Sequence, residues 1–267
     1  MFKVVIPARY ASTRLPGKAL RTIAGKPMLQ WVCELACAAQ AEQVWIATDD
    51  ERIAQCARSF AAAGQVQVAM TSSAHASGTD RVAELARLQG WSERQIVVNV
   101  QGDEPLLPPQ LIRQAAALLE RFPQADIATL ATPVESRAEF LSPHAVKVVS
   151  DRDQRVLYFS RAPIPCTRDP GPAASGEQAG WQRARRHVGL YAYRAGALQR
   201  MAALPVSPLE AAEKLEQLRA LEAGFDIRIA DAQVAPGPDV NTEADLERVA
   251  ALLVASRLAV PAVGRGT

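Results

Sequence analysis

The chain alternates short unbroken apolar runs, which read as buried strands, with stripes of apolar residues at three- and four-residue spacing, which read as helices. Val4-Val5-Ile6 is the first run, and it ends at Pro7. Met28, Trp31, Val32, Leu35 and Ala36 then form a helical stripe with Pro27 at its first turn. A second run at 44–47 stops in Thr48-Asp49-Asp50, and Ile53, Ala57 and Phe60 follow as a helix closed by Gly64. The third run, 66–70, opens on a polar stretch from Thr71 to Arg81 that leads into a helix of Val82, Leu85 and Leu88. The fourth, 96–100, gives way to Gln101-Gly102-Asp103-Glu104-Pro105 and a helix starting near Pro108, and 126–134 reads as a fifth strand. Strands and helices in this order predict an α/β fold whose right-handed crossovers gather the strand ends on one edge of a parallel sheet.

Beyond residue 134 the pattern changes. Two apolar runs at 145–150 and 156–160 flank Asp151-Arg152-Asp153-Gln154, a hairpin signal. Residues 187–193 read as another strand, and a short helix lies around Leu198. One helix over 209–222 is expected to carry Glu213, Glu216 and Gln217. A strand at 225–230, a turn at 236–242 and a helix at 243–256 complete the pattern, with residues 169–180 expected as a mobile loop and 259–267 as a disordered tail. Arg183, Arg185 and Arg186 are expected at a solvated loop edge.

Composition narrows the function. With 267 residues, 49% hydrophobic, the chain can bury a sizeable core, and 30 basic against 28 acidic residues leave no global charge to wrap nucleic acid or coat a membrane. Anion binding must therefore be local. No run is long enough to span a membrane, and the chain enters a strand without a leader pattern, which points to the cytoplasm. Cys33, Cys37, Cys56 and Cys166 include no CxxC pair, and Cys33 and Cys37 share a helical face expected in the core.

The local anion site is legible after the first strand, where Arg9, Arg14 and Lys18 stand among small residues. Three cations in so short a loop repel one another unless an anion sits among them. The loop matches a Walker A only at Gly17-Lys18: Ser12 replaces the first glycine and Ala19 the magnesium-binding hydroxyl, so an ordinary P-loop ATPase is excluded. A second signal is Asp103, a carboxylate just past the fourth strand with Gly102 beside it, where open α/β sheets keep their chemistry. Arg14 and Lys18 are expected to face it. Cations for phosphates and a carboxylate for magnesium are what a nucleoside triphosphate requires.

Several stretches together resemble one family. They are residues 7–18, Ser77-Gly78-Thr79-Asp80-Arg81, residues 99–105, Ala145-Val146-Lys147-Val148-Val149, Tyr158-Phe159-Ser160-Arg161-Ala162, residues 186–191 and Leu215-Glu216-Gln217-Leu218-Arg219. In these the chain is similar to the cytidylyltransferases that activate 3-deoxy-manno-octulosonate (Kdo) with CTP for lipopolysaccharide synthesis. The resemblance implies a Rossmann-like nucleotide-diphospho-sugar transferase fold, three-layer α/β/α with a mixed, mostly parallel sheet and an inserted hairpin region through which a homodimer forms. It implies one domain over 1–258, with a nucleotide half (1–135) and a sugar-binding and dimerisation half (136–258), and dependence on Mg2+. Carried over by position, Ala8, Arg9, Arg14, Lys18, Ser77, Gly78 and Arg81 would hold CTP, and Arg14, Lys18 and Asp103 would be catalytic. Gln101, Arg161, His187, Tyr191, Glu213 and Gln217 would form the sugar-acid pocket, with Arg161 forking onto the Kdo carboxylate. Asp103 would bind the metal together with Asn241, which stands where the family usually has aspartate and so supplies an amide oxygen without charge.

Two other classes compete. A sister enzyme of the same fold could activate another sugar acid or use UTP, and a binding protein without turnover would draw its support from Asn241 alone. A dinucleotide dehydrogenase is excluded, because Ala8-Arg9-Tyr10-Ala11-Ser12-Thr13 stands where a GxGxxG would be needed.

Overall fold

The computed structural model describes residues 1–12, 14–61, 66–168 and 181–259. The expected helix stop at Gly64, the loop at 169–180 and the tail beyond Ala259 lie outside them.

The first half follows the predicted alternation. Strand β1 (Phe2–Ala8) leads through the basic loop and a 3-10 turn at Lys18–Leu20 into a small hairpin of β2 (Thr22–Ile23) and β3 (Lys26–Pro27), which the sequence did not reveal. Then come α1 (Met28–Ala38), β4 (Gln43–Thr48), α2 (Glu51–Phe60), β5 (Val66–Met70), α3 (Gly78–Leu88), β6 (Ile96–Asn99), α4 (Pro109–Arg121) and β7 (Ile127–Pro133). Local chemistry sets the helix starts: Asp50 accepts the Arg52 N–H ahead of α2, and Ser77 and Asp80 form a reciprocal capping box at α3.

The second half is α5 (Arg137–Leu141), the antiparallel pair β8 (Lys147–Ser150) and β9 (Val156–Ser160), β10 (Arg185–Arg194), α6 (Ala195–Ala202), α7 (Pro208–Glu213), α8 (Gln217–Glu222), β11 (Ile227–Asp231) and α9 (Glu243–Ala259). Two expectations need correction. The single helix over 209–222 is two: Lys214 takes a left-handed conformation (φ 54°) that ends α7, and the chain restarts at Gln217. Arg185 and Arg186 are strand residues, not a loop edge; Arg185 donates to Ser150 and Arg186 pairs with Glu139 at 3.1 Å. The last helix also runs further than predicted, to Ala259.

Among the described residues one nine-stranded sheet joins both halves, with the main order β11-β7-β10-β6-β1-β4-β5, β8 paired with β10, and β9 paired with β8. β1 pairs in parallel with β4 and β6, and β11 with β7, while β10 runs antiparallel between β6 and β7. Successive β1 side chains point to opposite faces. Val4 and Ile6 pack with Leu29 of α1, Ile53 of α2 and Leu111 of α4, whereas Val5 packs with Leu85 of α3, Leu198 of α6 and Leu218 of α8. Helices thus cover both faces, giving the three layers of the expected α/β/α fold. Chain order reverses at β1, which has the later β4 on one side and β6 on the other, and a crevice beyond the carboxyl ends of β1 and β6 follows from that reversal.

A third apolar cluster, Leu15, Ile23, Met28, Val240, Leu246, Val249 and Leu253, ties the back of the basic loop to α9 and to the turn before it. The edge of the sheet holds an unusual core residue. Lys147 has 0% exposure, and its ammonium donates to the carbonyls of Ser142, Ala145 and Arg161 at 2.5–2.8 Å.

Candidate functional site

The crevice is a cleft of about 280 Å3 whose walls come from the basic loop, the start of α3 and the segment after β6. Ala8, Arg9, Arg14, Lys18, Ser77, Gly78, Arg81, Gln101, Asp103 and Asn241 all line it. All the expected nucleotide and metal residues therefore meet in one place, and Gln101, assigned to the sugar, shares their wall. The loop that delivers the cations is shaped by Gly17, at φ 65°, where an added Cβ would lie 3.3 Å from the Tyr10 ring. Tyr10 is itself covered by the Arg52 guanidinium at 3.3 Å from its centroid. At Gly78 a Cβ would meet Pro7 Cγ at 3.2 Å, so a side chain there would press on the end of β1.

Lys18 sits at the focus of the cleft. Its Nζ donates to Asp103 Oδ2 at 2.6 Å, to the Val240 carbonyl at 2.7 Å and to Asn241 Oδ1 at 3.4 Å, while Arg14 Nη2 donates to the same Asn241 oxygen at 3.0 Å. The turn is held there by the Val240 N–H, which donates to the Asp103 carbonyl at 2.9 Å, and by the burial of Val240. Three hard oxygens that converge on one ammonium fit a small divalent cation, which favours oxygen donors and takes one or two carboxylates with the rest from phosphates and water. Among the described residues no group of three or more His, Cys, Asp or Glu side chains could hold a metal, so phosphates would have to complete the set. Burial pushes the neighbouring Glu104 carboxyl up to about 8, with Asp103 and Asp239 adding to the rise.

The remaining candidates lie outside the cleft lining. His187 and Tyr191, four residues apart on β10, would stand ~13 Å apart in a regular strand. A bulge between Val188 and Tyr191 instead brings their rings to 5.1 Å, with Phe159 4.9 Å from His187 on the other side. His187 Nε2 lies 2.9 Å from the Thr129 hydroxyl, which also reaches the Leu190 carbonyl at 2.8 Å. If the hydroxyl gives its proton to that carbonyl, His187 donates through Nε2 and keeps Nδ1 as an acceptor. Burial, reinforced by Arg186, drives the imidazole down to about 3, so it is neutral at ordinary pH. A histidine pKa depressed by folding supports stability above the unfolded value near 6.5, and that support is lost as pH falls toward 3. His187→Asn should therefore flatten the fall in melting temperature between pH 6.5 and 3 relative to the unmodified protein, as followed by circular dichroism; parallel curves would show that the imidazole is not held neutral.

Glu213 and Arg161 bind each other. The Glu213 carboxylate accepts from the Ser160 hydroxyl and the Arg161 N–H, and the Arg161 guanidinium donates to the carbonyls of Glu213, Pro143 and Lys214. A fork onto a carboxylate ligand would have to share or replace these bonds. The break at Lys214 turns Glu216 in a different direction from Glu213: its Oε2 accepts from Thr79 at 2.8 Å, and burial raises its carboxyl. Among the described residues, Glu216 Oε1, the Tyr191 hydroxyl and Asn99 Oδ1 are buried without a hydrogen-bond partner. Tyr191 and Asn99 face each other across β10 and β6, and the Glu216 charge is felt at Tyr191. Buried unpartnered polar atoms of this kind are rare and suit ligand hydroxyls. Glu216 and Asn99 were not singled out for such a role in the sequence, since the expected continuous helix gave Glu216 no distinct direction.

Comparison with known proteins agrees with this geometry. A family described as Cytidylyltransferase matches residues 3–229. The 3-deoxy-manno-octulosonate cytidylyltransferase of Nitrosococcus oceani is 53% identical over 255 residues, 95% of this chain and 96% of its own length. That of Thioalkalivibrio sulfidiphilus is 51% identical, over 94% of this chain and 98% of its own. The solved structure of a CMP:2-keto-3-deoxy-manno-octonic acid synthetase complexed with CTP superposes with a TM-score of 0.85 at 42% identity, covering 96% of this chain and all of that one. A family match and identities of that extent, on a chain whose phosphate-type cations converge at the sheet's switch point, place it in the cytidylyltransferase family.

Proposed function

We propose that the protein transfers CMP from CTP to the anomeric hydroxyl of Kdo, giving CMP-Kdo and pyrophosphate for lipopolysaccharide synthesis. The observation that carries the reading is the convergence of Arg9, Arg14 and Lys18 on the same cleft as Asp103 and the Ser77-Gly78 turn. The cations bind the triphosphate, and Lys18 and Arg14 neutralise charge as it grows on the departing pyrophosphate. Little covalent work falls to the protein, so catalysis is positioning and electrostatics. The sugar's hydroxyls suit Gln101 at the cleft wall, the neutral His187, Tyr191, Glu216 and Gln217 at the start of α8, with Arg161 and Glu213 as the further contacts to the sugar acid. Asp103 and Asn241 would hold magnesium, which when bound neutralises phosphate charge and acidifies a coordinated hydroxyl.

The chain works as one domain over 1–258. Exposed Leu141 and Leu157, beside and on the β8–β9 hairpin, are consistent with a homodimer formed through that region, and sedimentation would measure it. No helix among the described residues is long and apolar enough to cross a membrane. The expected place of work is the cytoplasm, where CTP is made.

Pyrophosphate release across a panel of sugar acids and nucleotides, titrated with magnesium, tests the reading. Release with CTP and Kdo alone supports it; equal rates with UTP or an acylneuraminate favour the sister enzyme, and CTP binding without turnover favours a binding protein. The same titration tests Asn241. Because the amide brings no charge and already receives Arg14, Asn241→Asp should lower the magnesium concentration for half-maximal rate by roughly tenfold, ligand charge being a main lever on affinity. An unchanged magnesium dependence would remove Asn241 from the metal site.

A further inference from the structure

The segment between β5 and α3 delivers Ser77 and Gly78 to the cleft, and one face of α3 holds it in place. Arg81 Nη1 donates to the Thr71 hydroxyl at 2.5 Å and pairs with Asp49 at 3.2 Å. One turn further along, Glu84 Oε2 accepts from the Ser72 N–H at 2.8 Å and from His75 Nε2 at 2.6 Å. Residues three apart on a helix share a face, so two side chains of α3 pin the start and the middle of the segment while the capping box fixes its end. The His75–Glu84 pair is mostly enclosed, at 22% and 19% exposure. Burial opposes ionisation of Glu84, but the hydrogen bonds from Ser72 and His75 outweigh it and hold the carboxyl below its ordinary value. Glu84 is thus an acceptor, and the His75 ring edge facing it carries the proton.

The ring has a second property. The residue lines the nucleotide cleft together with Ser77, Gly78 and Arg81, and also a second cavity of about 590 Å3 walled by Asp80, Arg87, Leu204, Val206 and Arg219. His75 and Ala76 line both, so this part of the segment stands between the two spaces.

We propose that His75, fixed by Glu84, is a positioning residue for CTP: it sets the 71–77 segment so that Ser77 and Gly78 are presented to the nucleotide in the cleft. The proposal rests on the nucleotidyltransferase reading above. His75→Ala should weaken CTP binding, measured by calorimetry, by about tenfold, the worth of one well-made charge-assisted hydrogen bond and the contact it orients. The turnover rate at saturating CTP should fall by less than threefold, because the cations and Asp103 are untouched. His75→Gln, which keeps an N–H donor toward Glu84, should recover most of the affinity, and Glu84→Ala serves in place of the alanine variant if that does not fold. Glu84→Ala should weaken CTP to the same extent, and the double variant should be no worse than either single one, since the two side chains act as a unit. Three results would overturn the proposal: CTP affinity in His75→Ala within twofold of the unmodified protein, additive losses in the double variant, or a fall in turnover with unchanged affinity. If the unmodified protein itself binds no CTP, the nucleotide reading fails instead, so the two failures are separable.

Discussion

Lys18→Ala is expected to lower turnover by roughly a hundredfold or more, the usual cost of losing a preorganised charge at a transition state. The ammonium lies where three oxygens from two remote segments meet, Asp103, Val240 and Asn241, and Arg14 already donates to the Asn241 oxygen. Its pair with Asp103 is mostly enclosed, at 18% and 27% exposure, so its removal should also cost some stability. The loss should appear in single-turnover measurements at saturating CTP, made well below the variant's own melting temperature. A near-normal single-turnover rate would take Lys18 out of the mechanism.

Lys147→Ala should have the largest effect on folding, about 3–5 kcal/mol, or a fall in melting temperature of roughly 10 °C. Burial lowers the Lys147 ammonium, a cost the fold accepts because the group satisfies three carbonyls that would otherwise lie buried without donors. One of them belongs to Arg161, so the lysine also fixes the end of β9 and the Arg161–Glu213 pair beside it. Alanine would remove the ammonium and leave a cavity along the stem; Lys147→Met keeps the apolar volume and should recover part of the loss. Denaturant unfolding measures both, and a change under about 1 kcal/mol for the alanine variant would mean that water reaches those carbonyls.

Much of this was legible in the residues. The apolar runs at 4–6, 44–47 and 96–100 became buried strands because such runs can be buried only between covering layers, and the helical stripes became those layers, whereas 66–70 became the half-exposed edge strand β5. The cluster of Arg9, Arg14 and Lys18 and the carboxylate of Asp103 marked the cleft, since the edge on which parallel strands end follows from the handedness of their crossovers. Other features could not be read. The strand direction of β10, the bulge that brings His187 to Tyr191 and the helix break at Lys214 depend on what packs beside them, and local propensity does not contain that information. Lys147 looked like an ordinary strand lysine, because its three acceptors are carbonyls whose positions the chain fixes only on folding.

The sequence by itself therefore determined most of the alternation of strands and helices, the layering and the cluster of cations expected to meet phosphate, all of which follow from periodicity and charge along the chain. The tertiary structure decided which groups share a site: it carried Lys18 to Asp103 across 85 residues and to Val240 across 222, directed Glu216 rather than Glu213 toward Thr79, and made His75 the wall of a cleft. The reason is physical. Periodicity sets which face a side chain takes, but contacts between segments far apart in the chain exist only when a common core packs them together.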